Sequence, residues 1–348
     1  MTQRFELIRD ADLQRLNSFG VAARARALAR ADTRDGLVAA LDFAASQGLR
    51  VEVLGGGSNV LIVNDLDALV LQPQLRGIEW LRQGADGRIR VRAAAGENWH
   101  AFVGATLAQG ACGLENLALI PGNVGAAPIQ NIGAYGVELE RFVAAVEAYD
   151  RVERRFVRIE AADCGFSYRD SRFKHDGERH LIVAVEFALS ASPQLLLDYA
   201  GVREELRSLG IANPAPVDVY RAVSAIRQRK LPDPARLGNA GSFFKNPLLP
   251  ADQALRLKIG HPGLPVYPAA AGLSKLAAGW LIEHCGWKGY RDGDAAVHQQ
   301  HALVLVNHGH ASGRQILALA QRIQADVQAR FGVELEIEPR VLRSPVLQ

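Results

Sequence analysis

Residues 120–136, IPGNVGAAPIQNIGAYG, limit what this chain can become more than any other stretch. The run holds four glycines, an adjacent alanine pair (Ala126 and Ala127) and no charge. Glycine gives up more backbone freedom on folding than any other residue. Such a run therefore makes sense where main chain must turn with positive φ or press against something large and flat. Val124, Ile129 and Ile132 are its candidate apolar anchors, and Asn123, Gln130 and Asn131 its amide donors and acceptors. The residues alone admit two readings, a cofactor cradle made of main chain or a buried glycine-rich turn between strands. A second glycine loop upstream, VLGGGSNVL at Val53–Leu61, favours the cradle.

Composition excludes several classes. The 348 residues suffice for two or three domains with a sizeable core. Lys+Arg (40) nearly balances Asp+Glu (37), for a net charge of +3, and no basic patch is interleaved with aromatics. Nucleic acid is therefore not an expected partner, and no obligatory protein partner is evident. The 3 cysteines, Cys112, Cys164 and Cys285, have neither zinc spacing nor a disulfide pattern, which suits a reducing cytoplasm. No metal is expected. The first twenty residues lack the apolar core of a signal peptide, and no run approaches the ~20 apolar residues of a membrane span.

Along the chain, α and β signals alternate. The polar opening residues are expected to cover the surface, followed by an alanine- and arginine-rich strand. Thr33 is a candidate N-cap for a helix over Leu37–Gln47. The strand Val51–Leu54 runs into Gly55, Gly56, Gly57, Ser58 and Asn59, and then into the apolar Val60–Val63. Strand, glycine turn and strand is neither the Rossmann order nor a Walker loop. It still gathers several N–H groups into one concavity, suited to a diphosphate. Further strands are expected over 69–71, 78–81, 89–94, 142–149, 154–159, 181–189 and 303–306. Helices are expected over 99–109, 217–230, 274–285 and 313–331, the last an amphipathic one stopped by Gly332. Residues 333–341 alternate as a closing strand, with Glu334, Glu336, Glu338 and Arg340 on one face. These signals predict an α+β chain. Two more runs combine aromatic and charged residues, GFSYRDSRFK at 165–174 and LGNAGSFFKNP at 237–247.

The ordered set LGGGSNVL, GENWH, GLENLALIPGNVGAAPIQNIGAYGVEL, YRDSRFK, KLPDP, GNAGSFFKNP, LAAGWLIE and AVHQQHALVLVN resembles the UDP-N-acetylenolpyruvoylglucosamine reductase family of flavoenzymes. The resemblance runs from Asn17 to about Val341. It implies an FAD-binding region of the p-cresol methylhydroxylase type over 17–195, made of two α+β subdomains split near residue 70. A UDP-sugar domain follows over 214–332, and a closing segment over 333–348. It also implies non-covalent FAD, NADPH as co-substrate, and reduction of the enolpyruvyl group of a UDP-sugar. Residues 195–201, LLLDYAG, resemble the longer subtype, whose tyrosine, here Tyr199, closes over substrate.

The family's site residues carry over by motif. Cofactor contacts fall on Gly55, Gly56, Gly57, Ser58 and Asn59, and on Pro121, Gly122, Gly125, Ala126, Gln130, Asn131, Gly133, Ala134, Tyr135 and Gly136. Ser242 matches the proton donor and Arg169 the arginine on the substrate carboxylate. Glu338 matches the C-terminal acid, with Glu336 as runner-up because the proline here, Pro339, lies one residue past the second acid. Tyr199, Lys230, Lys245, Asn246, Tyr267 and Lys275 fall on the substrate side. The chemistry suits these types. Hydride addition beside a carboxylate builds negative charge that a guanidinium fork stabilises. A serine hydroxyl is a weak acid that needs nearby positive charge, for which Lys245 is the nearest candidate. A flavin oxidase of the same superfamily or a non-catalytic nucleotide-sugar sensor would share the cradle. Neither has reason to keep Ser242, Arg169 and an acid together.

Overall fold

The computed structural model describes residues 5–81, 84, 86–176, 179–199, 201–270 and 272–344. The chain forms two compact units. One takes residues up to Ala11, then Ala25–Gly56 and Asp67–Arg229; the other takes Asp12–Arg24, Gly57–Leu66 and the chain from Lys230 on. These bounds differ from the 17–195 and 214–332 read from the sequence. The reason is visible in the pairing. Strand Val60–Ile62 runs parallel to Arg340–Leu342, and Val63 N–H donates to the Leu342 carbonyl over 2.9 Å. The second half of the glycine turn thus folds with the C-terminal unit.

The first unit contains two larger sheets and a two-stranded ribbon, Gly133–Ala134 with Val137–Glu138. One has the order Glu6–Asp12, Arg24–Ala31, Leu66–Pro73, Arg50–Val53, so the polar opening is a strand and stays at the surface, with only Ala11 of Glu6–Asp12 buried. Helix Arg34–Ser46 covers this sheet with Leu37, Ala40 and Ala44 buried against Leu69 and Leu71. Thr33 caps it, its side chain accepting the Gly36 N–H over 3.0 Å. The other sheet has five antiparallel strands in the order Arg155–Glu160, Val143–Asp150, His180–Leu189, Ile89–Ala94, Ile78–Trp80. Helix Trp99–Ala108 packs Trp99 and Phe102 onto Phe187. Full burial of one such side chain contributes ~1.5–3 kcal/mol. A glycine in regular structure costs roughly 0.5–1 kcal/mol relative to alanine, so this cluster can carry the glycine run anchored to it. Val124 and Ile132 join that core, but Ile129 is 37% exposed and lies outside it.

The second unit holds a four-stranded sheet, Gly238–Ser242, Val304–Asn307, Ala295–Val297, Arg291–Asp292, and a three-stranded one, Leu248–Pro250, Leu273–Leu276, Val266–Pro268. Helix Gly313–Phe331 buries Ile316, Leu319, Ile323 and Val327 and ends at Gly332 with φ 66°. Two expectations are corrected here. The helix expected over 274–285 is the strand Leu273–Leu276 followed by helix Ala278–His284, because Leu273–Leu276 pairs on both sides. Lys275 is therefore a strand residue. The closing strand shortens to Arg340–Leu342. The alternation of burial ends at Glu336, and Ile337 and Glu338 are both half-buried as Ile337 bridges to Phe244. Residues 345–348 of the expected closing segment, and Ala200 of the tyrosine loop, lie outside the described residues. Helix Ala251–Gly260 had no strong signal in the sequence.

Candidate active site

The two glycine loops meet. A Cβ on Gly56 would stand 3.1 Å from the Gly122 Cα, and one on Gly55 would stand 3.8 Å from the Ala126 Cβ. The next residue, Gly57, has φ +64°, and a Cβ there would lie 1.9 Å from the Leu16 carbonyl oxygen, so only glycine fits. The carbonyls of Gly55 and Gly57 accept from Gln72 Nε2 and Ser18 N. Among the described residues, nothing accepts the N–H groups of Gly55, Gly56 and Gly57. Consecutive N–H groups left for a guest form an anion nest, and this donor set fits the pyrophosphate of FAD.

The rest of the cradle is built by internal contacts. Gly125 donates to the Ala95 carbonyl over 2.9 Å, so close that a Cβ would stand 2.5 Å from the Ala95 Cβ. Asn131 is fully buried, and its amide is spent inside the protein. Its Nδ2 donates to the Ser167 carbonyl (3.0 Å) and its Oδ1 accepts from Glu140 N (2.9 Å). That corrects its reading as an amide available to a guest. Asn131 instead ties the cradle to the YRDS turn. Pro121, Ala126, Gln130, Ala134 and Gly136 line the same run, and Ser58 and Asn59 follow Gly57 in the second unit, where Asn59 accepts from Arg340 N over 3.0 Å.

Arg169 sits in a two-residue turn closed by reciprocal bonds between Ser167 and Asp170, both 3.1 Å. Its φ is +55°, rare for a long side chain. Its Nη2 donates to the Gly133 carbonyl over 2.7 Å. A Cβ on Gly133 would lie 2.8 Å from its Nη1, so Gly133 makes room for the guanidinium. Leu119, Asn131 and Tyr135 also have positive φ, between 42° and 56°. Backbone strain of this kind recurs at functional sites.

Tyr135 meets Tyr199 edge to face, with centroids 5.3 Å apart. Asn116, from the GLENL motif, joins the two loops by donating to the Tyr135 and Leu196 carbonyls at 3.1 and 2.9 Å. Tyr199 itself is 52% exposed. Arg227 was not found from the sequence. It borders the buried stripe of helix Pro216–Lys230, one residue past Ile226, and that placement was its only signal. Burial lowers its pKa; the nearby Tyr135 opposes that and Arg169 adds to it. Among the described residues no carboxylate acts on Arg227, so the cradle has positive charge to offer an anion.

In the second unit, Ser242 ends strand Gly238–Ser242. Gly241, with φ +70°, donates to Asn239 Oδ1 over 2.9 Å, and the register slips between Asn239 and Ser242. The strand thus bulges immediately before the serine. Beyond it, Phe243 accepts from Glu338 N and Lys245 N donates to the Glu336 carbonyl, both 2.9 Å. Lys245 Nζ also pairs with Glu336 Oε1 at 2.5 Å, so its charge is directed at Glu336 rather than at the serine. Asn246 Oδ1 caps helix Ala278–His284 by accepting from Ala278 N over 3.0 Å. Tyr267 and Lys275 face each other across two strands. Lys230 is exposed, and its charge acts on His301. Burial lowers the His301 pKa first, and His298, Lys230 and Lys288 add to it. His298 and His301 each have a buried Nδ1 without a partner among the described residues. Both lie in AVHQQHALVLVN, and no sequence signal set them apart.

Among the described residues there is no metal-binding cluster, and no helix is long and apolar enough to cross a membrane. Residues 25–154 match the profile described as FAD binding domain. Residues 233–342 match the UDP-N-acetylenolpyruvoylglucosamine reductase C-terminal domain. The chain is 54% identical to the UDP-N-acetylenolpyruvoylglucosamine reductase of Pseudomonas syringae pv. tomato, over 94% of this chain and 97% of that one. It is 53% identical to the reductase of Xanthomonas axonopodis pv. citri, over 97% of each. It superposes on the crystal structure of the Thermus caldophilus enzyme with a TM-score of 0.67 and 25% identity, covering 98% and 99% of the two chains. Identity of 54% over 94% of this chain, with the C-terminal profile matched over 233–342, shows that the chain belongs to the UDP-N-acetylenolpyruvoylglucosamine reductase family.

Proposed function

We propose that this chain reduces the enolpyruvyl ether of UDP-N-acetylenolpyruvoylglucosamine to the lactyl ether of UDP-N-acetylmuramate, a peptidoglycan precursor, in the cytoplasm. Bound FAD, held without a covalent link, supplies the hydride that it takes from NADPH. The chain's residues do the rest. The N–H groups of Gly55, Gly56 and Gly57 would hold the FAD pyrophosphate. Arg169, its geometry set by Gly133, grips the substrate carboxylate with its remaining donors and stabilises the charge that builds there as hydride reaches C3. Ser242 then gives its proton to C2. Glu338, carried next to Phe243, serves as the C-terminal acid. Lys245 holds Glu336 in place rather than acidifying the serine. Tyr199 closes over the sugar, while Lys230 and Asn246, with Tyr267 and Lys275, serve the UDP moiety.

The contact of the two glycine loops, with Arg169 over Gly133, is the observation that carries this reading. The purified protein is expected to be yellow, to bleach with NADPH without oxygen, and to regain colour on adding UDP-N-acetylenolpyruvoylglucosamine. Acid precipitation should release all the flavin. A protein that bleaches with NADPH but regains colour only with oxygen would contradict the proposed second half-reaction.

A further inference from the structure

The GENWH motif carries a histidine that the reaction leaves unused. His100 lies in the first turn of helix Trp99–Ala108. Its Nδ1 accepts the backbone N–H of Leu119 over 3.0 Å. A backbone amide only donates, so Nδ1 is bare and the neutral ring carries its proton on Nε2. Nε2 lies 3.0 Å from the Tyr220 hydroxyl and donates to it, and the two rings stack with centroids 4.8 Å apart. Gly104 leaves the space for that hydroxyl, since a Cβ there would stand 3.3 Å from it. On the other side of Leu119, the carbonyl accepts from Arg227 Nε over 3.2 Å. Leu119 has φ +56°, a left-handed conformation that a leucine keeps only under restraint. It stands three residues before Gly122, the point where the cradle meets Gly56.

We propose that His100 is a proton-sensitive positioning residue for FAD: its neutral ring pins Leu119 and with it the cradle 121–136, and its protonation releases them. The inference rests on the FAD reading above. A proton on Nδ1 would point at the Leu119 N–H and set two donors against each other. The groups facing the ring are Tyr220, an uncharged phenol, and Arg227, whose charge repels an imidazolium. Among the described residues no carboxylate acts on it. Burial first, and Arg227 second, lower the His100 pKa below its ordinary value. Bound FAD favours the pinned loop and hence the neutral ring. Affinity for FAD is therefore full above the ordinary histidine pKa of about 6.5 and falls as the pH drops below it. Linkage to one proton limits the loss to about tenfold per pH unit.

Equilibrium dialysis of the full-length protein against FAD, from about pH 8 to about pH 5, tests this. The wild-type Kd should be flat in the alkaline half and rise by up to about tenfold per unit in the acid half. His100→Asn offers a side-chain carbonyl at the position of Nδ1 and does not titrate. It should bind FAD nearly as the wild type does at pH 8 and lose the acid rise. His100→Ala removes the acceptor and should bind more weakly throughout, again without the acid rise. An unchanged acid rise in His100→Asn, or wild-type affinity at pH 8 in His100→Ala, would overturn the proposal. Failure of the wild type to bind FAD at pH 8 would instead refute the FAD reading.

Discussion

Glu338 donates its backbone N–H to the carbonyl of Phe243 over 2.9 Å, which places it across from the residue that follows Ser242. Glu336 meets Lys245 instead, by a backbone bond of 2.9 Å and an ion pair of 2.5 Å. The two candidate acids thus have different neighbours, although they lie only two residues apart. Glu338→Gln should slow reoxidation of reduced flavin by the enolpyruvyl sugar by about tenfold or more and leave reduction by NADPH unchanged. Glu336 is 63% exposed at its side chain, and such a pair is worth ~0–1 kcal/mol. Glu336→Gln should therefore stay within about fivefold of wild type. Stopped-flow traces at the flavin absorbance read both half-reactions, and a larger effect from Glu336→Gln would reverse the assignment.

Gly133 and Arg169 make a second test. Arg169→Lys keeps the charge and loses the planar fork. Gly133→Ala keeps the arginine but puts a methyl group 2.8 Å from its Nη1, so the guanidinium must move. Both variants should reduce flavin normally with NADPH, and both should slow reoxidation by about tenfold or more, since a displaced charge-assisted contact costs ~1.5–3 kcal/mol. Equal slowing of both half-reactions would place Arg169 in flavin binding rather than at the carboxylate.

The site was legible where a residue type has few uses. Gly57 could be marked from sequence because three glycines in a row signal unusual backbone, and the structure shows the reason in its φ of +64° and the Leu16 carbonyl beside it. What local sequence could not show was contact between distant segments. Nothing near Gly56 announces Gly122, and nothing near Leu119 announces His100 and Arg227. Among the elements, helix Gly313–Phe331 was legible from its stripe and its glycine stop. Lys275 was misplaced onto a helix because Leu273–Leu276 is a strand only through pairing on both sides. The closing strand was overextended because the polar–apolar alternation continues to Glu338, whereas the burial pattern it predicts stops at Glu336. Asn131 looked like a group for a guest, and its amide ties two turns together instead.

Gly57→Ala tests how firmly the turn is specified. A left-handed backbone costs an L-residue ~1–2 kcal/mol, and here the added Cβ also collides with main chain at 1.9 Å. Gly48→Ala is the control, because Gly48 has φ +63° and nothing within 4 Å. Gly48→Ala should lower Tm by a few degrees, at about 2–4 °C per kcal/mol. Gly57→Ala should lower it by at least twice as much and weaken FAD binding. Differential scanning fluorimetry and dialysis measure the two effects, and equal shifts would mean that the loop moves away without loss.

Ser242 stands at the end of its strand because Gly241 turns with φ +70° and Asn239 fixes that turn. Ser242→Ala removes the hydroxyl and leaves this backbone untouched. Flavin reduction by NADPH needs no proton at C2, so it should keep its rate. Reoxidation by substrate should collapse, because hydride arriving at C3 builds carbanionic charge that protonation must quench. Loss of a general acid is typically worth ~10²–10⁴-fold. Ser242→Cys should recover part of that loss, since a thiol also donates a proton, though from a longer bond. Removal of the Lys245 ammonium separates two sources of acidity for the serine. Lys245 is paired with Glu336, so Lys245→Met should slow reoxidation far less than Ser242→Ala does. A near-normal reoxidation rate in Ser242→Ala would take the serine out of the mechanism and leave the proton to water or to Glu338.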